Sequence, residues 1–267
     1  MTNEYKVKFG DIWKMGKHSL LCGDSTEVLM MEKFLGDANP KLCVTDPPYG
    51  IHYKASVSSR ELYELKVKND HLVNWAQAFK RSRAPVLYVW FSFKVFDLSS
   101  RAITDAGYDV KQMIVWMKNH FSLQRTLYHL QHEQCMVAIK HGADNHKIWT
   151  GDRKQRSVWQ VDSVPPSRRI HPTEKPVGVY TIPILNHTVP GETVIDMFAG
   201  SGVLFEACEK TKRVGMGVEL CPEVCARIIK RMDDLGLPIE LERNLFEQSP
   251  IKKKKSQSNS KSLSSDF

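Results

Sequence analysis

Residues 193–202 read Thr-Val-Ile-Asp-Met-Phe-Ala-Gly-Ser-Gly, an apolar run that ends in an acid and a glycine turn. An apolar helical pattern opens directly afterwards at Val203. This order places the turn at a helix N-terminus, where free backbone N–H groups favour a carboxylate or phosphate. Glycine also lets the backbone approach a ligand closely. The segment predicts a strand, a turn and a helix of an α/β fold, although such turns also occur without any ligand.

The next predicted strand strengthens the ligand interpretation. Residues 213–218 form a second apolar run, which ends in Glu219. An acid at the end of the second strand, about 20 residues after the glycines, is the arrangement that grips ribose hydroxyls. The spacing predicts a nucleoside-bearing cofactor without specifying which one.

A second candidate site is the segment Asp46-Pro47-Pro48-Tyr49, which follows the apolar run 42–45. The prolines are rigid and donate no backbone hydrogen bonds, so their carbonyls can face a ligand. Tyr49 offers a flat ring, whose stacking would not need its hydroxyl. Acceptors beside a stacking ring suit the exocyclic amino group of a nucleobase. The alternative is a strand-ending turn with a structural acid.

Composition sets the broad class. A chain of 267 residues can bury one sizeable core, and one α/β domain fits better than two. The formal net charge of +8 lies about half in the C-terminal tail, so the balance allows DNA binding without requiring it. Six cysteines without a CxxC pair predict reduced thiols in a cytosolic protein. We expect no metal site, no membrane span and no signal peptide.

The remaining pattern alternates strands with helices. Apolar runs predict strands at 85–90, 110–116 and 135–139, the last two as antiparallel neighbours at the sheet edge. Helices are predicted at 94–106, with a stop at Gly107, and from Pro222 to Gly236. The apolar face of the first helix consists of Val95, Phe96, Ala102, Ile103 and Ala106. This alternation predicts a doubly wound sheet, in which ligands lie at the carboxyl ends of the strands.

These segments carry a family resemblance. The chain resembles the amino-group DNA methyltransferases that use S-adenosylmethionine, in the permuted class with DPPY ahead of the cofactor glycines. Besides 46–49 and the glycine turn, residues 171–177 (HPTEKPV), 20–25 (LLCGDS) and 132–140 are similar to segments of that class. The similarity covers roughly residues 10 to 245. Met197 and Val203 depart from the proline and threonine that are common at those places.

The resemblance implies a Rossmann-like class I methyltransferase fold with a mostly parallel sheet, an antiparallel edge strand and a circularly permuted motif order. It places Asp46 and the glycine turn on adjacent strands. We expect one catalytic domain, residues 1–248, and a disordered basic tail, residues 249–267.

The resemblance also implies the roles of site residues. Asp46 and the Pro47 carbonyl would accept the two hydrogens of the target amine, and Tyr49 would stack on a base rotated out of the duplex. Asp24 would bind the cofactor's adenine, Glu219 its ribose, and the glycine turn its methionine end. The full catalytic set is Asp46, Pro47, Pro48 and Tyr49; the cofactor set is Asp24, Thr173, Lys175, Asp196, Phe198, Gly200, Ser201, Gly202 and Glu219.

Residues 141–170 are the candidate target-recognition insertion. Basic residues are interleaved there with Trp149 and Trp159, a mixture that suits phosphate contacts and base stacking. The alternative is a solvated loop with two anchoring tryptophans. The polar stretch 51–68 is a second basic candidate. The predicted DNA-binding residues are Lys147, Arg153, Lys154, Arg156, Arg168 and Arg169.

The expected activity is methylation of adenine N6 in double-stranded DNA, because aspartate rather than serine at position 46 favours adenine. Cytosine N4 is the alternative, since both chemistries share one geometry. A C5-cytosine methylase needs a nucleophilic thiolate, usually in a Pro-Cys pair, and this sequence contains only the reverse order, Cys221-Pro222. A dinucleotide oxidoreductase leaves residues 46–49 unexplained, and a non-catalytic DNA-binding protein explains neither ligand turn. The resemblance adds a homodimer and a cognate restriction endonuclease as partners to test for, in a bacterial or phage-infected cytoplasm.

Overall fold

A computed structural model describes residues 5–49, 74–123, 127–144, 147–165 and 174–247 of the chain. In these ranges ten strands form one sheet in the order β10-β1-β2-β9-β8-β3-β4-β6-β5-β7. The strands are β1 (Asp11–Met15), β2 (His18–Cys22), β3 (Leu42–Thr45), β4 (Val86–Phe91), β5 (Tyr108–Ser122), β6 (Leu130–Lys140), β7 (Val158–Gln160), β8 (Thr193–Asp196), β9 (Val214–Glu219) and β10 (Ile239–Asn244).

Six α-helices connect or flank these strands within the described ranges. They are α1 (Val28–Leu35), α2 (Ala76–Arg81), α3 (Phe96–Asp105), α4 (Gly178–His187), α5 (Val203–Thr211) and α6 (Pro222–Asp234). None of the described helices is long and apolar enough to cross a membrane.

The centre of the sheet is parallel. β2, β9, β8, β3 and β4 pair side by side in one direction, with Cys43 opposite Ile195 and Cys22 opposite Glu219. The carboxyl ends of these strands therefore share one edge. The expected neighbours, the strand before Asp46 and the strand before the glycine turn, are β3 and β8, so that prediction is confirmed.

Both flanks of the sheet contain antiparallel pairs. β1 pairs antiparallel with β2 and β10, and β6 pairs antiparallel with β4 and β5. The predicted antiparallel neighbours are therefore confirmed as β5 and β6. The prediction that this pair forms the sheet edge is wrong, because β7 pairs with β5 in parallel, with Trp116 opposite Trp159. No strand was predicted at β7, because its three residues are too short to give a periodic signal.

Apolar side chains fill both faces of the sheet. All six residues of β4 are buried, which is the near-continuous apolar pattern of a strand covered on both sides. Leu87 belongs to the apolar cluster that includes Phe79 of α2 and Ile103 of α3. Trp90 belongs to a second cluster, which includes Leu204 of α5. Helices on both faces make this the doubly wound architecture that the sequence predicts.

The predicted helix 94–106 begins differently. Residues Phe93–Val95 form a 3₁₀ turn, and the α-helix starts only at Phe96, whose side chain is 44% exposed. The predicted apolar face is confirmed at Ala102, Ile103 and Ala106, which are buried, and wrong at Phe96. The expected stop at Gly107 is confirmed by its φ of 88°.

All six cysteines are buried and none is in a disulfide. Among the described residues, no group of three or more histidine, cysteine, aspartate or glutamate side chains is arranged to hold a metal ion.

Candidate active site

Two acids meet where β3 and β8 end. Asp196 is the last residue of β8, and Asp46 directly follows Thr45, the last residue of β3. The Thr45 hydroxyl donates to Asp196 Oδ1 at 2.7 Å, and the Tyr180 hydroxyl of α4 donates to Asp196 Oδ2 at 3.1 Å. The buried hydrogen bond from Thr45 to Asp196 therefore connects the two predicted sites at this edge of the sheet.

The glycine turn closes around Asp196. The Phe198 amide donates to Asp196 Oδ1 at 3.0 Å, and Gly200 and Gly202 have φ values of 52° and 76°. A Cβ at Gly202 would lie 2.7 Å from Ile228 Cγ2, so this glycine is required by packing as well as by conformation. Among the described residues, a Cβ at Gly200 would meet only the Phe198 carbonyl oxygen, at 3.8 Å, so they leave the space beside Gly200 open.

Glu219 faces this turn from β9. Its Oε2 accepts from the Gly200 amide at 3.0 Å and its Oε1 from the Cys221 amide at 2.8 Å. The Gly23 amide donates to the Glu219 carbonyl at 2.9 Å, which brings the turn of Asp24 alongside. Asp24 Oδ1 accepts from the amide and hydroxyl of Thr26 at 2.8 and 2.7 Å. Three loops from β2, β8 and β9 thus converge.

Burial perturbs both acids at this end. It raises the pKa of Glu219 to about 7, against the backbone hydrogen bonds that favour the charged form, and the Asp196 carboxylate adds to the rise. Burial likewise raises the pKa of Asp196 to about 6, against its hydrogen bonds from Thr45, Phe198 and Tyr180. Carboxyl groups whose pKa values are perturbed by burial cluster at ligand-binding and catalytic sites.

This end of the site fits a nucleoside-bearing cofactor. Its acceptors are the carboxylates of Asp24, Asp196 and Glu219, around the space beside Gly200. Ser201 and Gly202 complete the turn at the start of α5. Thr173, also assigned to the cofactor, lies outside the described residues, and its role stays a prediction.

The target end of the site is built around Asp46. Its Oδ1 accepts from the Tyr49 hydroxyl and its Oδ2 from the Lys175 ammonium. The Pro48 carbonyl accepts from Trp75 Nε1 at 3.0 Å. Because its hydroxyl donates to Asp46, the Tyr49 ring is held in place beside that carboxylate. Burial, with Asp46 nearby, raises the pKa of Tyr49 well above its usual value.

Trp75 is a site residue that the sequence analysis missed. Its ring packs edge-on against Phe198 of the glycine turn, with 4.8 Å between ring centroids, while its Nε1 holds Pro48. It therefore bridges the two ends of the site. Trp75 directly precedes α2, and no local pattern distinguished it from a core tryptophan.

Lys175 was assigned to the cofactor by resemblance, and its ammonium lies at the target end. It pairs with Asp46 and with Glu133 of β6, at 3.2 Å from Glu133 Oε2, and sits 5.1 Å from the Trp90 ring centroid. Burial would lower the pKa of Lys175, but the two carboxylates raise it above its usual value. Glu133 is a second residue that the sequence analysis did not single out.

Arg231 of α6 joins the glycine turn to the segment before α4. Its Nη1 donates to Glu174 Oε1 at 2.8 Å and to the Ser201 carbonyl at 3.2 Å, and its Nη2 pairs with Glu206. Glu174 and Lys175 are neighbours in sequence that contact opposite ends of the site. This segment therefore connects the cofactor turn with the target carboxylate.

The predicted recognition insertion is partly anchored. Trp159 is buried and its Nε1 donates to the Arg156 carbonyl at 3.0 Å, whereas Trp149 packs edge-on against His187. The Thr150 amide donates to the Asn186 carbonyl at 2.7 Å, fixing the segment to α4. The exposed cations of this segment, called the basic loop below, are Lys147, Arg153, Lys154 and Arg156. Arg168, Arg169 and the stretch 51–68 lie outside the described residues.

Known proteins resemble this chain over most of its length. A DNA methylase family model covering N6 and N4 methylases matches residues 41–231. The type II methyltransferase M.HpaI of Haemophilus parainfluenzae is 24% identical over 236 residues, which cover 80% of this chain and 74% of the relative. The type II methyltransferase M2.MboI of Moraxella bovis is 24% identical over 212 residues, covering 68% of this chain and 77% of the relative.

Solved structures share the fold. The crystal structure of the M1.HpyAVI–SAM complex superimposes with a TM-score of 0.60 at 22% identity, covering 79% of this chain and 98% of that chain. The cytosine-N4-specific PvuII DNA methyltransferase superimposes with a TM-score of 0.57 at 18% identity, covering 85% and 95%. The mostly parallel sheet described above is therefore the class I methyltransferase fold.

Proposed function

We propose that this chain, which belongs to the amino-group DNA methylase family, transfers a methyl group from S-adenosylmethionine to adenine N6 in double-stranded DNA. One observation carries the proposal. The carboxylate for a target amine, Asp46, and the cofactor turn lie on hydrogen-bonded neighbouring strands, connected through Thr45 and Asp196. A methyl donor and an acceptor amine bound to these two ends would face each other at the carboxyl edge of the sheet.

The cofactor end is proposed to work by binding and orientation. S-adenosylmethionine supplies a methyl group that its sulfonium already activates, so no nucleophilic residue is required. Glu219 would accept from the ribose hydroxyls and Asp24 from the adenine amino group. Asp196 and the backbone of the glycine turn would hold the methionine end. The crystal structure of M1.HpyAVI contains this cofactor, which supports the assignment by fold.

The target end is proposed to make a weak nucleophile reactive. The lone pair of an exocyclic amine is conjugated into its ring, which keeps the nitrogen flat. Asp46 and the Pro47 carbonyl accept the amine's two hydrogens and favour a pyramidal nitrogen whose lone pair can form the new N–C bond. As the S–C bond breaks, its electron pair stays on sulfur, and the nitrogen then releases one proton to solvent. Holding donor and acceptor in line accounts for most of the acceleration.

The target base must leave the duplex to reach Asp46. The Tyr49 ring would stack on the rotated base, and its hydroxyl holds Asp46 Oδ1. Tyr49→Ala should therefore abolish most turnover. The sequence alone predicts a mild effect for Tyr49→Phe, and the observed hydroxyl contact adds a modest loss, because Asp46 would lose one orienting donor.

Adenine N6 is favoured over cytosine N4 by the aspartate at position 46. The preference rests on the residue type at position 46 alone, since the same acceptor geometry serves either amine. The PvuII enzyme, a cytosine-N4 methyltransferase of the same fold, makes cytosine N4 the second candidate. The exposed cations of the basic loop are proposed to contact DNA phosphates.

The test is product analysis. The purified chain is incubated with duplex DNA and S-adenosylmethionine, and the DNA is digested to nucleosides. N6-methyladenine is the expected product; N4-methylcytosine would move the proposal to its second candidate, and 5-methylcytosine would refute it. The Asp46→Ala variant should fold and bind cofactor but lose transfer by several orders of magnitude, because the acceptor acts mainly in the transition state. Near-normal turnover by that variant would refute the mechanism.

A further inference from the structure

Three charged side chains of alternating sign lead away from Asp46. Lys175 pairs with Asp46 and lies 3.2 Å from Glu133 Oε2, and Lys118 of β5 lies 2.7 Å from Glu133 Oε1. The Lys175 side chain is only 6% exposed and that of Glu133 is 32% exposed. A buried ammonium between two carboxylates is therefore fixed on both sides, which an isolated surface ion pair is not.

Strand pairing places these groups. Gln134 of β6 stands opposite Phe91, the last residue of β4, so Glu133 lies just beyond the carboxyl end of the parallel strands. On its other side Glu133 stands opposite Trp116 of β5, and Lys118 follows two residues later on the same face. The antiparallel hairpin β5–β6 thus places Glu133 at the same edge of the sheet as Asp46.

Lys175 creates an electrostatic problem for the proposed reaction. Methyl transfer moves positive charge onto the target nitrogen, which Asp46 must stabilise. An ammonium directly on Asp46 Oδ2 would cancel much of that stabilisation if it were unopposed. Glu133 opposes it: with Lys118 on the other oxygen of Glu133, the side chains of Asp46, Lys175, Glu133 and Lys118 sum to no net charge, and without Glu133 they would carry one positive charge in excess. Two carboxylate oxygens offer about four acceptor positions, so Asp46 can hold Lys175 and Tyr49 and still accept from an amine.

We infer that Glu133 is a positioning residue for methyl transfer: it holds Lys175 and offsets its charge, so that Asp46 stays oriented and negative toward the target amine. The inference rests on the proposed function and adds to it a residue from the hairpin β5–β6, which contacts neither cofactor turn nor Asp46 directly in the described contacts. Burial opposes ionisation of Glu133, but Lys175 and Lys118 outweigh it and lower its pKa to about 2, so its charge is present at every working pH.

The primary test is a single-turnover measurement on Glu133→Gln. The methyl-transfer rate should fall about 10²-fold, as expected when a reacting group loses its orientation, while the Kd values for cofactor and DNA stay unchanged. Glu133→Asp, which keeps the charge with a shorter reach, should recover part of the rate. The matched control is Glu242→Gln on β10, which also pairs with a lysine, Lys14 at 3.5 Å, and is 37% exposed at the opposite flank of the sheet.

The decisive comparison is a double-mutant cycle with Lys175→Met. If Glu133 acts through Lys175, then adding Glu133→Gln to the Lys175→Met protein should change its rate by less than about twofold. Additive losses, or unchanged transfer by Glu133→Gln alone, would overturn the inference. Thermal unfolding and cofactor binding of each variant show whether a loss of rate reflects misfolding. If Glu133→Gln misfolds, the rate of Glu133→Asp is the test, and a rate below that of the wild type but measurable is the expected result. A wild-type protein without any transfer would refute the proposed function itself, which is a different outcome.

Discussion

The pH dependence of cofactor binding tests the role of Glu219 most directly. Burial raises its pKa to about 7, from an ordinary value near 4.5. Ribose hydroxyls donate to the ionised carboxylate, so the cofactor should bind the deprotonated form. The apparent Kd is then inversely proportional to the deprotonated fraction of the free protein, so the affinity approaches its full value above pH 7 and falls progressively below it. From pH 8 to pH 6 the affinity should fall about tenfold, equivalent to about 1.4 kcal/mol.

The pH dependence of folding stability has the opposite sign. Because the folded protein holds this proton more tightly than the unfolded chain, the Glu219 contribution to stability is present below about pH 4.5 and is lost as the pH rises through about 7. Asp196, whose pKa is about 6, would add about a factor of two to the affinity change at pH 6 if it must also ionise. Cofactor binding and folding should therefore respond to pH in opposite directions across this window.

Isothermal titration calorimetry at pH 6, 7 and 8, in buffers of different ionisation enthalpy, measures both the affinity and the protons released. Glu219→Gln is the control, since it keeps the shape of the side chain and reports the cofactor's own titration. It should bind more weakly at pH 8, and Glu219→Ala should weaken binding by about 1.5–3 kcal/mol. An equal pH slope in the wild-type and Gln proteins would refute the assignment of Glu219 to the cofactor.

Three further predictions follow from the site and its supports. Gly202→Ala should lower the free energy of unfolding in urea by more than Gly191→Ala, because both positions have positive φ but only Gly202 would place a Cβ against Ile228; equal losses would show that the contact is unimportant. Changing the two arginines and Lys154 of the basic loop to glutamine should reduce the salt slope of DNA binding by up to about 2.7, with cofactor affinity unchanged; an unaltered slope would return the segment to a solvated loop. Arg231→Gln should weaken cofactor binding, since the Ser201 carbonyl loses a donor, and cofactor affinity equal to wild type would contradict the proposed link.

Much of the architecture was readable from local pattern. The runs before Asp46 and before the glycine turn are apolar throughout because β3 and β8 are central strands. The glycines at 200 and 202 were recognisable because their left-handed conformations favour glycine, and Glu219 because its distance from them is characteristic of nucleoside sites. The strands of the antiparallel hairpin were also predicted, although β7 at its edge was not.

The sequence by itself therefore determined the fold class and the family, through apolar runs and short motifs in a characteristic order. It also predicted the two turns as candidate ligand sites, because each turn is a run of neighbouring residues. Only the tertiary structure decided which distant side chains share the site. Lys175 and Asp46 are 129 residues apart, and Arg231 and Glu174 are 57 apart, so no period or spacing relates them. Trp75 and Glu133 look like ordinary core and strand residues until the parallel pairing of β3, β4 and β8 and the antiparallel register of β6 bring them to one edge. Sheet order is set by burial on both faces at once, and that is a property of the whole chain rather than of any segment.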